Sequence, residues 1–127
     1  MVILKLFPGI TKATVEAILS IQNLKGVILE SYGSGNAPNE TWFIDLLKKA
    51  IAKEIKVVNV TQCSGGSVIL GHYDTSVKLK KIGVISGLDI TTESAVAKLM
   101  YLLNEDLSLE MFKYHFQKSL RGEITKK

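Results

Sequence analysis

Residues 25–63 read KGVILESYGSGNAPNETWFIDLLKKAIAKEIKVVNVTQC, and this stretch decides the fold. GVILES at 26–31 is a short apolar run rich in β-branched residues, the pattern of a strand buried on both faces. Phe43, Leu46, Leu47, Ala50 and Ile51 follow at i, i+3, i+4, i+7 and i+8, which is one apolar stripe along a helix. IKVVNV at 55–60 is another strand of the same buried kind. Strand, helix and strand in this order make a right-handed crossover between parallel neighbours. The loop between the first strand and the helix, SYGSGNAPNETW at 31–42, crowds together two glycines, two asparagines and a proline.

The same alternation extends in both directions. VILKLF at 2–7 is a strand ended by Pro8-Gly9. Thr11 is placed to cap the next helix, with Ile10 and Val15 as a hydrophobic staple and Val15, Ile18 and Leu19 on its apolar face. KKIGVIS at 80–86 reads as a fourth strand. Asp89, Thr91 and Glu93 supply caps and negative charge where a further helix starts, and Val96, Leu99, Met100 and Leu103 carry its apolar face. Asn104 stops it. Ser108 caps a last helix with Leu109, Phe112 and Phe116 turned inward, and the tail RGEITKK reads as loose. The expected fold is an α/β three-layer sandwich, flavodoxin-like or Rossmann-like and doubly wound. About four parallel strands carry helices on both faces. The alternation lapses at 61–79, TQCSGGSVILGHYDTSVKL, which reads as a long loop with SVIL as a short hairpin strand inside it. A loop of that length in a compact domain is usually functional.

Length and composition set limits. At 127 residues the chain is expected to form a single domain, 1–127, with a core that needs no staples. Hydrophobic residues make up 46% and charged residues 22%, close to globular averages. The net charge of +4 is scattered rather than gathered into a stripe with aromatic interleaving, so no nucleic-acid partner is expected. The single cysteine, Cys63, excludes an intrachain disulfide and points to a reducing compartment. No leader pattern opens the chain, and no apolar run approaches the roughly 18 residues of a spanning helix. A soluble cytoplasmic protein with no membrane partner is expected.

In open parallel sheets, ligands bind beyond the carboxyl ends of the strands. Those ends read SYGSGNAP, NVTQCSGG and ISGLDITT, each combining glycine with Ser, Thr, Asn or Asp. Glycine lets backbone approach a ligand closely, and Asn36, Thr61 and Gln62 offer donors and acceptors there. Loops from strand to helix need glycines and caps in any case, so from spacing alone a plain connection is the favoured reading. GSGNAP lacks the third glycine of a dinucleotide fingerprint and the Gly-Lys-Ser/Thr of a phosphate loop. Cys63 with His72 lacks an orienting third group. Two histidines and one cysteine give no metal spacing. His115 reads as a boundary residue, Tyr32 and Trp42 as packing groups, and Asp89 as a helix cap. No complete catalytic set, metal site or cofactor site is expected.

Taken together, SYGSGNAP, VVNVTQCSGGSVILGHYDTS, GVISGLDITTESAVAKLMYLL and LRGEIT resemble the C-terminal domain of bacterial cytoplasmic (type I) L-asparaginases. The resemblance runs from about Ile3 to Thr125. It implies a two-domain amidohydrolase that converts L-asparagine to aspartate and ammonia without a cofactor. Its nucleophilic threonine and Thr-Lys-Asp group lie in a catalytic N-terminal domain whose segments have no counterpart here. It further implies a homodimer or larger assembly, in which this smaller domain packs on a neighbouring subunit's catalytic domain. The substrate- or effector-binding residues implied for this chain are Tyr32, Gly33, Asn36, Thr61, Gln62 and Cys63. In periplasmic relatives the matching turn reads GNGN; Asn36 matches its last residue, but Ser34 replaces its first asparagine. An arginine common in type I members two residues before the tyrosine is Glu30 here. The alternatives are the equivalent domain of a tRNA-dependent amidotransferase subunit and a free-standing flavodoxin-like module that binds a small ligand.

Overall fold

The computed structural model describes residues 1–31, 38, 40–61, 74–120 and 122–125. The elements run β1 Val2–Lys5, α1 Lys12–Leu19, β2 Gly26–Ser31, α2 Thr41–Ala52, β3 Lys56–Thr61, α3 Asp74–Ile82, β4 Ile85–Ser86, α4 Thr92–Leu103 and α5 Leu109–Gln117. The four strands form one parallel sheet in the order β1-β2-β3-β4.

Alternation along the strands separates two cores. Leu4 pairs in register with Leu29, and both join Val27 and Val57 on the face covered by α1, α2 and α3. Ile28, Val58 and Ile85 align across three strands, and with Val60 they meet Leu99 and Leu102 of α4 and Phe112 and Phe116 of α5. The expected three-layer sandwich is therefore present. The strand order is unreversed, however, so right-handed crossovers put α1–α3 on one face. The second face is closed by the two helices that follow the last strand, not by winding in the opposite sense.

The caps follow the sequence closely. The side-chain oxygens of Thr11, Thr91 and Ser108 accept the backbone N–H of Thr14, Ser94 and Met111. Ile10 and Val15, the two halves of the expected staple, are both buried in the first core. Asn104 is the C-cap of α4. Four expectations change. Residues 80–82 close α3 instead of opening a strand, and β4 is only Ile85–Ser86. Gly83, at φ +106°, ends α3 by letting Gly83 N–H reach the Lys80 carbonyl and Val84 N–H the Leu79 carbonyl. The 61–79 stretch is thus helical from Asp74 onward, and the expected strand at 67–70 lies outside the described residues. Asp89 is not a helix cap, because Thr91 does that work and the Asp89 carboxylate binds Thr125. The tail is accordingly anchored, with Ile124 buried in the second core.

Candidate functional site

All four strands point the same way, so their carboxyl ends share one edge of the sheet. β2 and β3 are direct neighbours, and their last residues, Ser31 and Thr61, are register partners. The chain therefore leaves both strands side by side, about 5 Å apart. Both residues are buried, and Ser31 Oγ donates to the Val60 carbonyl at 3.1 Å. Thr61 is the one expected site residue within the described part. Tyr32, Gly33, Asn36, Gln62 and Cys63 lie outside it, as does His72.

The next part of the edge is the turn between β4 and α4. Ser86 pairs with Asn59, and Gly87 N–H donates to the Asn59 carbonyl at 2.9 Å. Leu88 stands in the left-handed region at φ +59°, which a residue with a Cβ occupies rarely. Its N–H donates to Ser86 Oγ at 3.1 Å, while Gln117 Nε2 donates to the Ser86 carbonyl at 3.1 Å. At the start of α4, Thr92 Oγ1 donates to Glu30 Oε2 at 3.0 Å. Glu30 thus places a carboxylate by the positive end of that helix, where the helix dipole favours it.

The chemistry of this edge follows from these commitments. The hydroxyls of Ser31, Ser86, Thr91 and Thr92 are all engaged in bonds that shape backbone or fix a neighbour. Activating a hydroxyl as a nucleophile needs a base within hydrogen-bond reach, itself oriented by a third group. In these bonds Ser31, Ser86 and Thr91 meet backbone groups, whereas Thr92 meets a carboxylate, that of Glu30, at the first turn of α4. No group of three or more His, Cys, Asp or Glu residues gathers as a metal site among the described residues. The described edge is built from hydroxyls, backbone amides and one carboxylate that bond to one another and fix its shape. Of its residues, the turn at 86–91 was the least visible in the sequence. Its signal was GLD, a glycine and a left-handed position between a strand and a cap.

The strands and helices define a parallel α/β domain. The model of the Glutaminase/Asparaginase C-terminal domain matches residues 1–116. The chain belongs to that family. It is 42% identical over 123 residues to L-asparaginase 1 of Escherichia coli (strain K12), covering 97% of this chain and 36% of that protein. It is also 42% identical over 124 residues to the human 60 kDa lysophospholipase, covering 97% of this chain and 21% of that protein. Among solved structures, L-asparaginase I from Vibrio cholerae superposes with a TM-score of 0.89 at 41% identity. That match covers 98% of this chain and 38% of the other. A related domain occurs at lower identity in one of the subunits of glutamyl-tRNA(Gln) amidotransferase from Pyrococcus abyssi. The chain therefore spans little more than a third of these two bacterial asparaginases. No helix among the described residues is long and apolar enough to cross a membrane.

Proposed function

We propose that the chain is the C-terminal, accessory domain of a cytoplasmic type I L-asparaginase, the enzyme that converts L-asparagine and water to L-aspartate and ammonia. The pairing of Ser31 with Thr61 carries this reading. Ser31 and Thr61 are the neighbouring strand ends that Tyr32, Gly33 and Asn36 and then Gln62 and Cys63 follow in sequence, and in this reading those residues share one small pocket with Thr61. In this reading the domain binds and orients asparagine or an effector. The nucleophile comes from an N-terminal catalytic domain, belonging to the parent chain or to a neighbouring subunit of a homo-oligomer. The engagement of the edge hydroxyls in structural bonds supports that division of labour. The asparaginase reading is preferred to the amidotransferase one because the asparaginase relatives are the more similar.

The pocket is half of a site. Glu30, held against Thr92 where type I relatives commonly carry an arginine, repels a ligand carboxylate. The 127-residue chain alone is expected to release no ammonia from asparagine above background. It is expected to bind asparagine only in the millimolar range, a free energy of about −4 kcal/mol. An ammonia assay and an NMR titration on the pure chain test both. Turnover would overturn the accessory reading. Saturable micromolar binding would instead support a free-standing small-ligand module.

A further inference from the structure

Residues 119–120 and 122–125 are tied both to α4 and to the turn that precedes it. Two residues before Thr125, Glu123 Oε2 lies 2.6 Å from Lys98 Nζ, with the two side chains 13% and 4% exposed. The same Nζ donates to the Lys118 carbonyl at 2.6 Å and sits 5.3 Å from the Phe116 ring centroid. Glu123 Oε1 accepts the Leu120 N–H at 2.9 Å, and Ser119 Oγ accepts the Gly122 N–H at 3.1 Å, which folds the segment onto itself. Ile124 then enters the core beneath α4 and α5. At the far end, Thr125 N–H donates to Asp89 Oδ1 at 2.9 Å and Thr125 Oγ1 donates to Asp89 Oδ2.

Asp89 belongs to the turn that forms the carboxyl edge beside β3. That turn contains the left-handed Leu88, and from within the layers it is held by the Ser86 hydroxyl, by Gln117 and by the Asn59 carbonyl. A residue with a Cβ persists in this conformation when its surroundings over-determine it. Lys98 lies seven residues beyond Thr91 on α4, about 10 Å along the helix axis. We infer that residues 119–120 and 122–125 act as a strap that positions the 87–91 turn at the site edge. Asp89 is the positioning residue, and the Lys98–Glu123 pair is a second anchor of the same strap, on α4. The inference takes the carboxyl edge as the site, following the proposed function.

Hydrogen exchange on the 127-residue chain tests the strap without any ligand, so its outcome is separate from that of the asparagine titration. The reporters are the hydrogen-bonded amides of Leu88 and Ile90. Asp89→Ala is expected to lower their protection about tenfold, with the β2 and β3 amides unchanged. Asp89→Asn keeps an acceptor for the Thr125 N–H and is expected to restore most of it. Glu123→Gln, at the second anchor, is expected to lower protection of Leu88 and Ile90 about threefold through the strap. Unchanged protection in Asp89→Ala overturns the inference, and so does a Glu123→Gln effect confined to residues 120–123. Should Asp89→Ala not fold, Thr125→Val removes only the hydroxyl bond of an exposed residue. Full protection of Leu88 and Ile90 in that variant would overturn the strap as well.

Discussion

Gly87 has no room for a side chain. A Cβ there would lie 3.0 Å from Ile90 Cγ2 and from Val60 Cγ1, and 3.1 Å from the Asn59 carbonyl oxygen. The last of these is backbone in a central strand and cannot turn aside. Gly87→Ala must therefore push the turn off β3 and weaken the bond from Gly87 N–H to Asn59. Overpacking of this kind costs about 1–3 kcal/mol, to be read as a lower denaturant midpoint with an unchanged slope. At this scale the sequence was a good guide wherever a residue acts on its own neighbourhood. Thr11, Thr91 and Ser108 bond within three residues of themselves, and their type and place in the pattern are enough to find them. Asp89 looked like a cap for the same reason. Its actual partner, Thr125, is 36 residues away, and no local pattern announces it.

Helix ends show how one geometry is met by two chemistries. α2 and α3 both close with a residue in the left-handed region. After α3 it is Gly83, whereas after α2 it is Glu54, at φ +68°. Glu54 N–H reaches the Ile51 carbonyl at 2.9 Å and Ile55 N–H the Ala50 carbonyl at 3.2 Å, the same closing pattern as at Gly83. A Cβ in this conformation costs about 1–2 kcal/mol, and glycine's extra freedom when unfolded returns part of that. Glu54→Gly is therefore expected to stabilise the domain by about 0.5–1 kcal/mol in chemical denaturation. The elements were legible in proportion to their apolar periodicity. α2, with Phe43, Leu46, Leu47 and Ala50 buried, was plain, and β2 ran over the very residues expected. α3 was missed because DTSVKLKKI is mostly polar, and because IGVIS beyond it looks like a longer strand than the two residues that pair.

The domain as a whole is held by contacts that no window of sequence contains. Lys98 and Glu123 are 25 positions apart and meet in a nearly dry setting. Removing one partner strands the other charge, so Glu123→Ala is expected to cost about 3 kcal/mol, somewhat less if water reaches Lys98. Replacing both, Lys98→Met with Glu123→Leu, is expected to be milder than the single change, as a double-mutant cycle on thermal or denaturant unfolding would show. The tail could not be read from the chain because its anchors are of this long-range kind. The candidate site was legible only as a set of strand ends, since which ends are neighbours is a property of the sheet order. That order has a consequence for how the protein is made. With strands arranged β1-β2-β3-β4, each new strand docks beside the one synthesised just before it, and α1, α2 and α3 can cover their face as they appear. The opposite face has no such schedule. Ile28, Val58, Val60 and Ile85 stay uncovered until Leu99, Phe112 and Phe116 have been added. Until those residues are made the nascent domain presents a half-dressed sheet, the kind of surface that chaperones hold and that stalled chains use to aggregate.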